Sequence, residues 1–325
     1  MNPSRKAVFF GEFARLSGAG IPVDKGLKLL LRHAPNAPLR DALKGMDAAL
    51  RNGSTIAEAM APALSPLETG VIRAAENGGQ IAAGFAHLEK WYSSQAKARD
   101  AALHALAYPL LIAHAAAIIP AVVGGITSGS GILQPLLLNL GGLWFILVSL
   151  YALSRFILGA ARRIPALDAF ISAVPWLGPA WRNSGLARWA AVMHFHIMSG
   201  QLLSGAFAEA GTASQRPRLN AASQRLSALT LSGQPAGPAM IHEPVFPEAV
   251  ALHFASAEEA GMLDTECAGL ADRALHDATV SMQRAGEWLP RIIYIAAMIF
   301  AAWQVLNMGR GVFQQQQDFL RDIGF

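Results

Sequence analysis

Two histidines in the run VMHFHIM, His194 and His196, form the pair whose types first ask for a metal. Two positions apart on a helix they point to different faces, and no acidic or cysteine ligand stands at i+4, so the pattern fits packing or capping better than coordination. A second cluster, Glu258, Glu259, Asp264 and Glu266, carries enough carboxylate to draw a divalent ion, yet it reads better as a solvated turn or a protein-contact surface. Nucleophilic chemistry would fall to Ser17 in LSGAG or Ser199 in MSGQ, and neither has a G-x-S-x-G setting or an activating histidine at a strand end. The stretch VVGGITSGSG has the glycines of a phosphate loop without the Gly-Lys-Ser/Thr ending. AENGG has no lysine and would close a helix, the wrong end of the dipole for phosphate. The residues therefore predict no catalytic group, no cofactor and no metal.

The elements that would hold these residues are set by charge. Only 15% of the 325 residues are charged and 53% are hydrophobic, with a mean hydropathy of +0.33, where a soluble domain carries roughly 25% charge. No Asp, Glu, Lys or Arg lies between Asp100 and Arg155, or between Arg291 and Arg310. A bilayer core about 30 Å thick takes roughly 20 apolar residues of helix, so the first gap has room for two spans, 106–127 and 133–158, and the second for one, 289–308. His114 falls inside the first span, where an ionisable side chain is a functional hypothesis by default. Gln134, Asn139 and Gln304 are the polar groups on the other spans that could bond it. Basic residues flank the first two spans, Lys97 and Arg99 before and Arg155, Arg162 and Arg163 after, while the turn TSGSG between them has none. The positive-inside rule then places both polar regions in the cytoplasm and a tail, 309–325, in the periplasm. No signal peptide precedes them, and the single cysteine, Cys267, fits a reducing compartment. The net charge of +4 is dispersed or beside the spans, which points to anionic lipid and not to nucleic acid.

The two polar regions, 7–105 and 189–287, read as the same helical unit written twice, joined through a connector at 162–188. In the first, Val8, Phe9, Phe13 and Leu16 share a helix face that stops at Gly18 and Gly20, Pro22 opens a second helix, and Pro35 and Pro38 break it. Thr55 with Glu58, and Ser65, Pro66 and Glu68, spell helix starts. Glu76, Asn77, Gly78 and Gly79 spell a stop before a helix running from Ile81 into the first span. A shift of about 180 residues lays LSGAGIP (Leu16 to Pro22) on MSGQLLS (Met198 to Ser204), Gly53 on Gly233, Glu76 on Glu258 and Gly79 on Gly261. Such internal periodicity marks repeated folding units. No stretch alternates at period two, so the fold class is all-α: a polytopic membrane protein with two repeated helical bundles of about six helices each and three transmembrane helices.

These motifs resemble the secretion-F domain family, the inner-membrane platform proteins of type II secretion and type IV pilus machines. The family pattern is small-Gly-x-Pro, then Gly-x-Ser-Leu, a Phe-Pro helix start, and Gly-Glu-x-Ser-Gly-x-Leu before a long helix. Gly20, Ile21 and Pro22, then Gly53, then Ser65 and Pro66, then Ala75, Glu76, Gly78, Gly79 and Ile81 follow it in the first copy. Gly200, Gly233, Phe246, Pro247, Ala257, Glu258, Ala260, Gly261 and Leu263 follow it in the second. Alanine replaces the leading glycine of the last motif in both copies, and the second lacks the proline after Gly200. The resemblance implies a non-enzymatic platform in the bacterial inner membrane. Its implied partners are a cytoplasmic hexameric assembly ATPase, pilin or pseudopilin subunits, other inner-membrane assembly proteins, further copies of itself and membrane lipid. Arg73, Glu76, Glu258, Glu259 and Asp264 are the expected partner-contact residues, with Gly78, Gly79 and Gly261 as structural turns. The competing reading is a small membrane transporter or ion-conducting protein built around His114.

Overall fold

The computed structural model describes residues 2–32, 37–127 and 131–322; at 30, 32–42, 127, 289, 297, 301, 304, 307, 308 and 310–322 only the backbone, where given, is described. Pro35 and most of the TSGSG turn lie outside the described residues, as does the side chain of Gln304. Among the described residues there are helices and turns and no strand. In chain order the helices are α1 (Pro3–Gly18), α2 (Val23–Arg32), α3 (Ala37–Arg51), α4 (Ile56–Met60), α5 (Pro66–Asn77) and α6 (Ile81–Thr127). They continue as α7 (Leu133–Ala161), α8 (Pro165–Ala173), α9 (Gly178–Met198), α10 (Leu203–Ala213), α11 (Pro217–Leu231), α12 (Ala236–Ile241), α13 (Glu248–Ala260) and α14 (Leu263–Asp322).

Local signals account for many of the boundaries. Thr55 and Glu58 form a reciprocal capping box at α4, and Ser65 and Glu68 form another at α5 with Pro66 as its first residue. Each box satisfies two of the amides that a helix start leaves open. α2 ends at Arg32, before the predicted break, and Pro38 is the second residue of α3, a position it tolerates because the N–H it lacks is among those with no intrahelical acceptor. The 162–188 segment is itself largely helical, containing α8 and the first half of α9.

Two compact units result, Met1–Ala98 with Ala160–Met282, and Arg99–Gly159 with Gln283–Phe325. In the first, residues from both polar regions share one apolar core. Phe10 and Phe13 of α1 stack on Phe85 of α6, with ring centroids 6.2 and 5.1 Å apart. Trp189 of α9 packs against Phe207 and Phe246 and donates its indole N–H to Ser223 Oγ at 2.9 Å. α5 lies against α9 so closely that a Cβ on Gly70 would stand 3.0 Å from Val192 Cγ2, and one on Gly78 would stand 2.8 Å from Ser199 Cβ.

The second unit exposes its apolar side chains. Leu111, Ile119, Leu138, Phe145, Phe156 and Ile299 all face outward. Large apolar side chains exposed in such numbers are characteristic of an interaction or lipid-facing surface. Two helices, residues 81–126 and 133–161, are long and apolar enough to cross a membrane. The 289–308 segment is helical throughout as part of α14. Inside the unit, Ala113, Ala117 and Ala121 form a buried stripe at four-residue spacing on α6, the small-residue spacing that lets helices approach closely in lipid. Asn139 of α7 donates to the Ala117 carbonyl at 3.3 Å.

Candidate functional site

The residues singled out in the sequence gather at helix ends. Each of the glycines Gly20, Gly53, Gly79, Gly200, Gly233 and Gly261 has a φ between +67° and +85°. Such backbone angles cost an L side chain about 1–2 kcal/mol, which explains the choice of glycine. At all six the glycine N–H bonds a carbonyl three residues back, and the next N–H bonds one five residues back: Gln80 to Ala75 at 2.7 Å, for example, and Met262 to Ala257 at 2.8 Å. This double closure satisfies the last carbonyls of a helix and sends the chain off in a fixed direction. The first three stops and the last three are separated by 180, 180 and 182 residues.

Glu76 and Glu258 stand beside the third stop of each set, and both point back at the start of a short helix. Glu76 Oε1 and Oε2 accept the Ile56 and Ala57 amides of α4 at 2.7 and 3.0 Å. Glu258 accepts the Ala236 and Gly237 amides of α12 at 2.9 and 2.6 Å. A carboxylate against the amides that open a helix gains charge-assisted hydrogen bonds and a favourable dipole, so each glutamate staples a long helix to a short one about twenty residues earlier. Gly78, at φ −88°, is there for space beside Ser199, whereas Gly79 is there for its backbone angle.

The other acidic residues are held apart. Glu259 is exposed, Asp264 is exposed and accepts from Thr265 Oγ1 at 3.4 Å, and Glu266 is bonded by Arg273 with His253 Nδ1 3.6 Å away. Among the described residues no three His, Cys, Asp or Glu side chains are grouped as metal ligands would be. Arg73 pairs with Glu209 of α10 at 2.9 Å, and the second oxygen of Glu209 lies 3.2 Å from His196 Nε2. Burial works to raise the Glu209 pKa, but the bonds and charges of His196 and Arg73 outweigh it and leave the carboxyl below its ordinary value. Ser199 Oγ donates to the His196 carbonyl at 2.8 Å, a helix-end bond that occupies the hydroxyl.

Three buried clusters escaped the sequence reading. Asp168 of α8 accepts from Arg216 Nε at 3.0 Å and from Trp181 Nε1 at 2.6 Å, while Arg216 also donates to Ser172 Oγ at 3.2 Å. Glu68 is wholly buried and bonded by Lys6 Nζ at 2.8 Å, which also lies over the Tyr92 ring. Burial, then the Glu68 charge, raises the Tyr92 phenol well above its usual range. His87 packs edge-on to Phe195, with burial, then His194 and Lys90, pushing its pKa down to about 4. Apart from Lys90, their partners lie at least 13 residues away, so little in the local sequence announced them.

In the second unit, His114 Nδ1 lies 2.7 Å from the Leu110 carbonyl of its own helix, and its ring meets Trp144 edge-on. Asn139, one of the three polar groups expected to be able to bond it, donates to the Ala117 carbonyl.

Residues 9–129 match the family model described as Type II secretion system (T2SS), protein F. These residues thus resemble a secretion protein F domain. That stretch contains the first set of stops, the Glu76 staple and the first apolar helix, and the second set lies beyond the matched residues with the same backbone geometry. Similarity reaches further than the domain: over 323 aligned residues the chain is 23% identical to the type IV pilus assembly protein PilC of Thermus thermophilus, covering 90% of this chain and 78% of that protein. The chain is thus similar to a type II secretion component over residues 9–129 and to a pilus assembly protein over most of its length.

Proposed function

We propose that the chain is the inner-membrane platform of a type IV pilus or type II secretion machine, coupling a cytoplasmic assembly ATPase to the extraction and polymerisation of pilin-like subunits. The observation that carries this reading is the likeness to a secretion F domain, with its Glu76 staple, followed past two apolar helices by the same staple at Glu258. On this reading the two polar regions are copies of one cytoplasmic unit. α6, α7 and α14 supply three spans, the tail lies in the periplasm, and the platform works as a homo-oligomer without catalysing a reaction. Each staple makes a helix pair rigid, and rigidity is what a mechanical relay needs.

The test is genetic and biochemical. Cells lacking the chain lose surface fibres or secreted substrate and regain them with the full-length gene, and the tagged chain retains the assembly ATPase through purification. Fibres and secretion that persist without the chain would overturn the proposal. The transporter reading predicts flux in liposomes that disappears on His114→Ala, and the His114 bond to its own helix gives that reading no support.

A further inference from the structure

α8 has two faces of opposite kind. Asp168, Ile171 and Ser172 are buried, and the Asp168 bonds to Arg216 and Trp181 fix that face against α9 and the turn before α11. The opposite face carries Ala166, Phe170 and Ala173, spaced i, i+4, i+7, all exposed. Phe170 is 67% exposed, Ile164 just before the helix 46% and Trp176 just after it 44%. Arg162 and Arg163 precede them, are exposed, and among the described residues make no ion pair. The helix cannot roll to hide its apolar side, because turning it would pull Asp168 away from a buried guanidinium.

We infer that the outer face of α8, with Arg162, Arg163, Ile164 and Trp176, docks on the bilayer interface and binds anionic lipid headgroups. This rests on the reading of α7 as a membrane span. α7 ends at Ala161 and α8 begins at Pro165, so the link can carry α8 no more than about 14 Å from the end of α7. α7 has 29 residues, about 43 Å of helix against a hydrocarbon core of about 30 Å, so its end already reaches headgroup depth. Cationic residues beside apolar and indole side chains match the chemistry of that layer, where tryptophan concentrates and each arginine gains about 1 kcal/mol from anionic lipid. A second copy or a soluble protein would need an apolar counter-surface but has no evident use for two exposed arginines beside it.

The test uses the full-length chain in vesicles of phosphatidylethanolamine and phosphatidylglycerol, labelled with an environment-sensitive fluorophore at Phe170→Cys, Leu150→Cys or Leu252→Cys. Cys267 stays unlabelled, being buried with its thiol pushed up to about 12 by burial and then by Glu266 and Asp264. The expected result is blue-shifted emission at 170, quenched most by nitroxide at the headgroup, with 150 quenched most by nitroxide deep in the chain and 252 aqueous. Arg162→Gln with Arg163→Gln, or vesicles of phosphatidylcholine alone, should shift the signal at 170 back toward that of water. Aqueous emission at 170 with deep quenching at 150 overturns the docking and leaves the span reading standing. Aqueous emission at both overturns both. Emission at 170 that is blue-shifted but insensitive to lipid nitroxides means a protein covers the face, and overturns the inference too.

Discussion

Lys90 Nζ lies 3.1 Å from Asp272 Oδ1, and the two residues are 182 positions apart, the same offset that relates Gly79 to Gly261. This pair therefore brings together two positions related by that offset. Both side chains are well exposed, so their attraction is screened and worth less than about 1 kcal/mol. Lys90→Ala should move the unfolding midpoint of the purified chain by no more than about 3 °C. A larger loss would mean that the pair, and not the apolar core beneath, holds this seam together.

The two staples should matter more. Glu76→Ala leaves the Ile56 and Ala57 amides without their carboxylate, and Glu258→Ala does the same to Ala236 and Gly237. Each should cost about 2 kcal/mol, or about 4–8 °C in thermal unfolding, with glutamine restoring part of it through its carbonyl. Hydrogen exchange should speed up at α4 in the first variant and at α12 in the second, each leaving the other helix protected.

Glycine substitutions should sort by backbone and by space. Gly79→Ala and Gly261→Ala should each lose about 1–2 kcal/mol, and asparagine should be better tolerated because it accepts left-handed angles. Gly45→Ala, in α3 with no atom within 4 Å of its added Cβ, should gain up to about 1 kcal/mol. Gly237→Ala would bring its Cβ against the Ala255 backbone, and should be the worst of the set. Chemical denaturation of the four variants orders them.

Asp168→Ala strands Arg216 in the core and should cost about 3–5 kcal/mol, close to the limit of what the fold tolerates. Replacing both, Asp168→Leu with Arg216→Met, should recover most of that loss. Equal damage in the single and double variants would show that the pair contributes shape and not charge compensation.

Acid should weaken the helical unit. His87 titrates near 4 in the folded chain, against about 6.5 when unfolded, with His194, Lys90 and Asp272 around it. Between those values the unfolded chain binds a proton that the folded chain does not, so stability is full above about pH 6.5 and falls as the pH drops toward 4. The slope is about 1.4 kcal/mol per pH unit, about 3 kcal/mol over the window. Burial also lowers His194, which adds in the same direction. His87→Leu should flatten this dependence in melting curves taken from pH 4 to 7.5.

How far the fold could be read from the chain depended on the range of each interaction. Thr55 with Glu58, Ser65 with Glu68, and the glycine stops act over three to five residues, so their geometry is written locally. The two apolar helices were legible because lipid demands long uncharged runs. Glu76 and Glu258 were visible as a pair but not as caps, since their acceptor role needs a helix start brought back from about twenty residues away. Arg73 with Glu209 and Asp168 with Arg216 are 136 and 48 residues apart, and nothing local announces such partners. The break near Pro38 was legible too, since α2 ends at Arg32 and α3 begins at Ala37.

The helix stops are built from backbone angles and main-chain bonds, with almost no contribution from outward-facing side chains. The skeleton of each polar region is consequently indifferent to what decorates its exterior. Either region can therefore change its surface character while keeping its internal frame, and substitutions on the exterior can accumulate without disturbing how the chain turns.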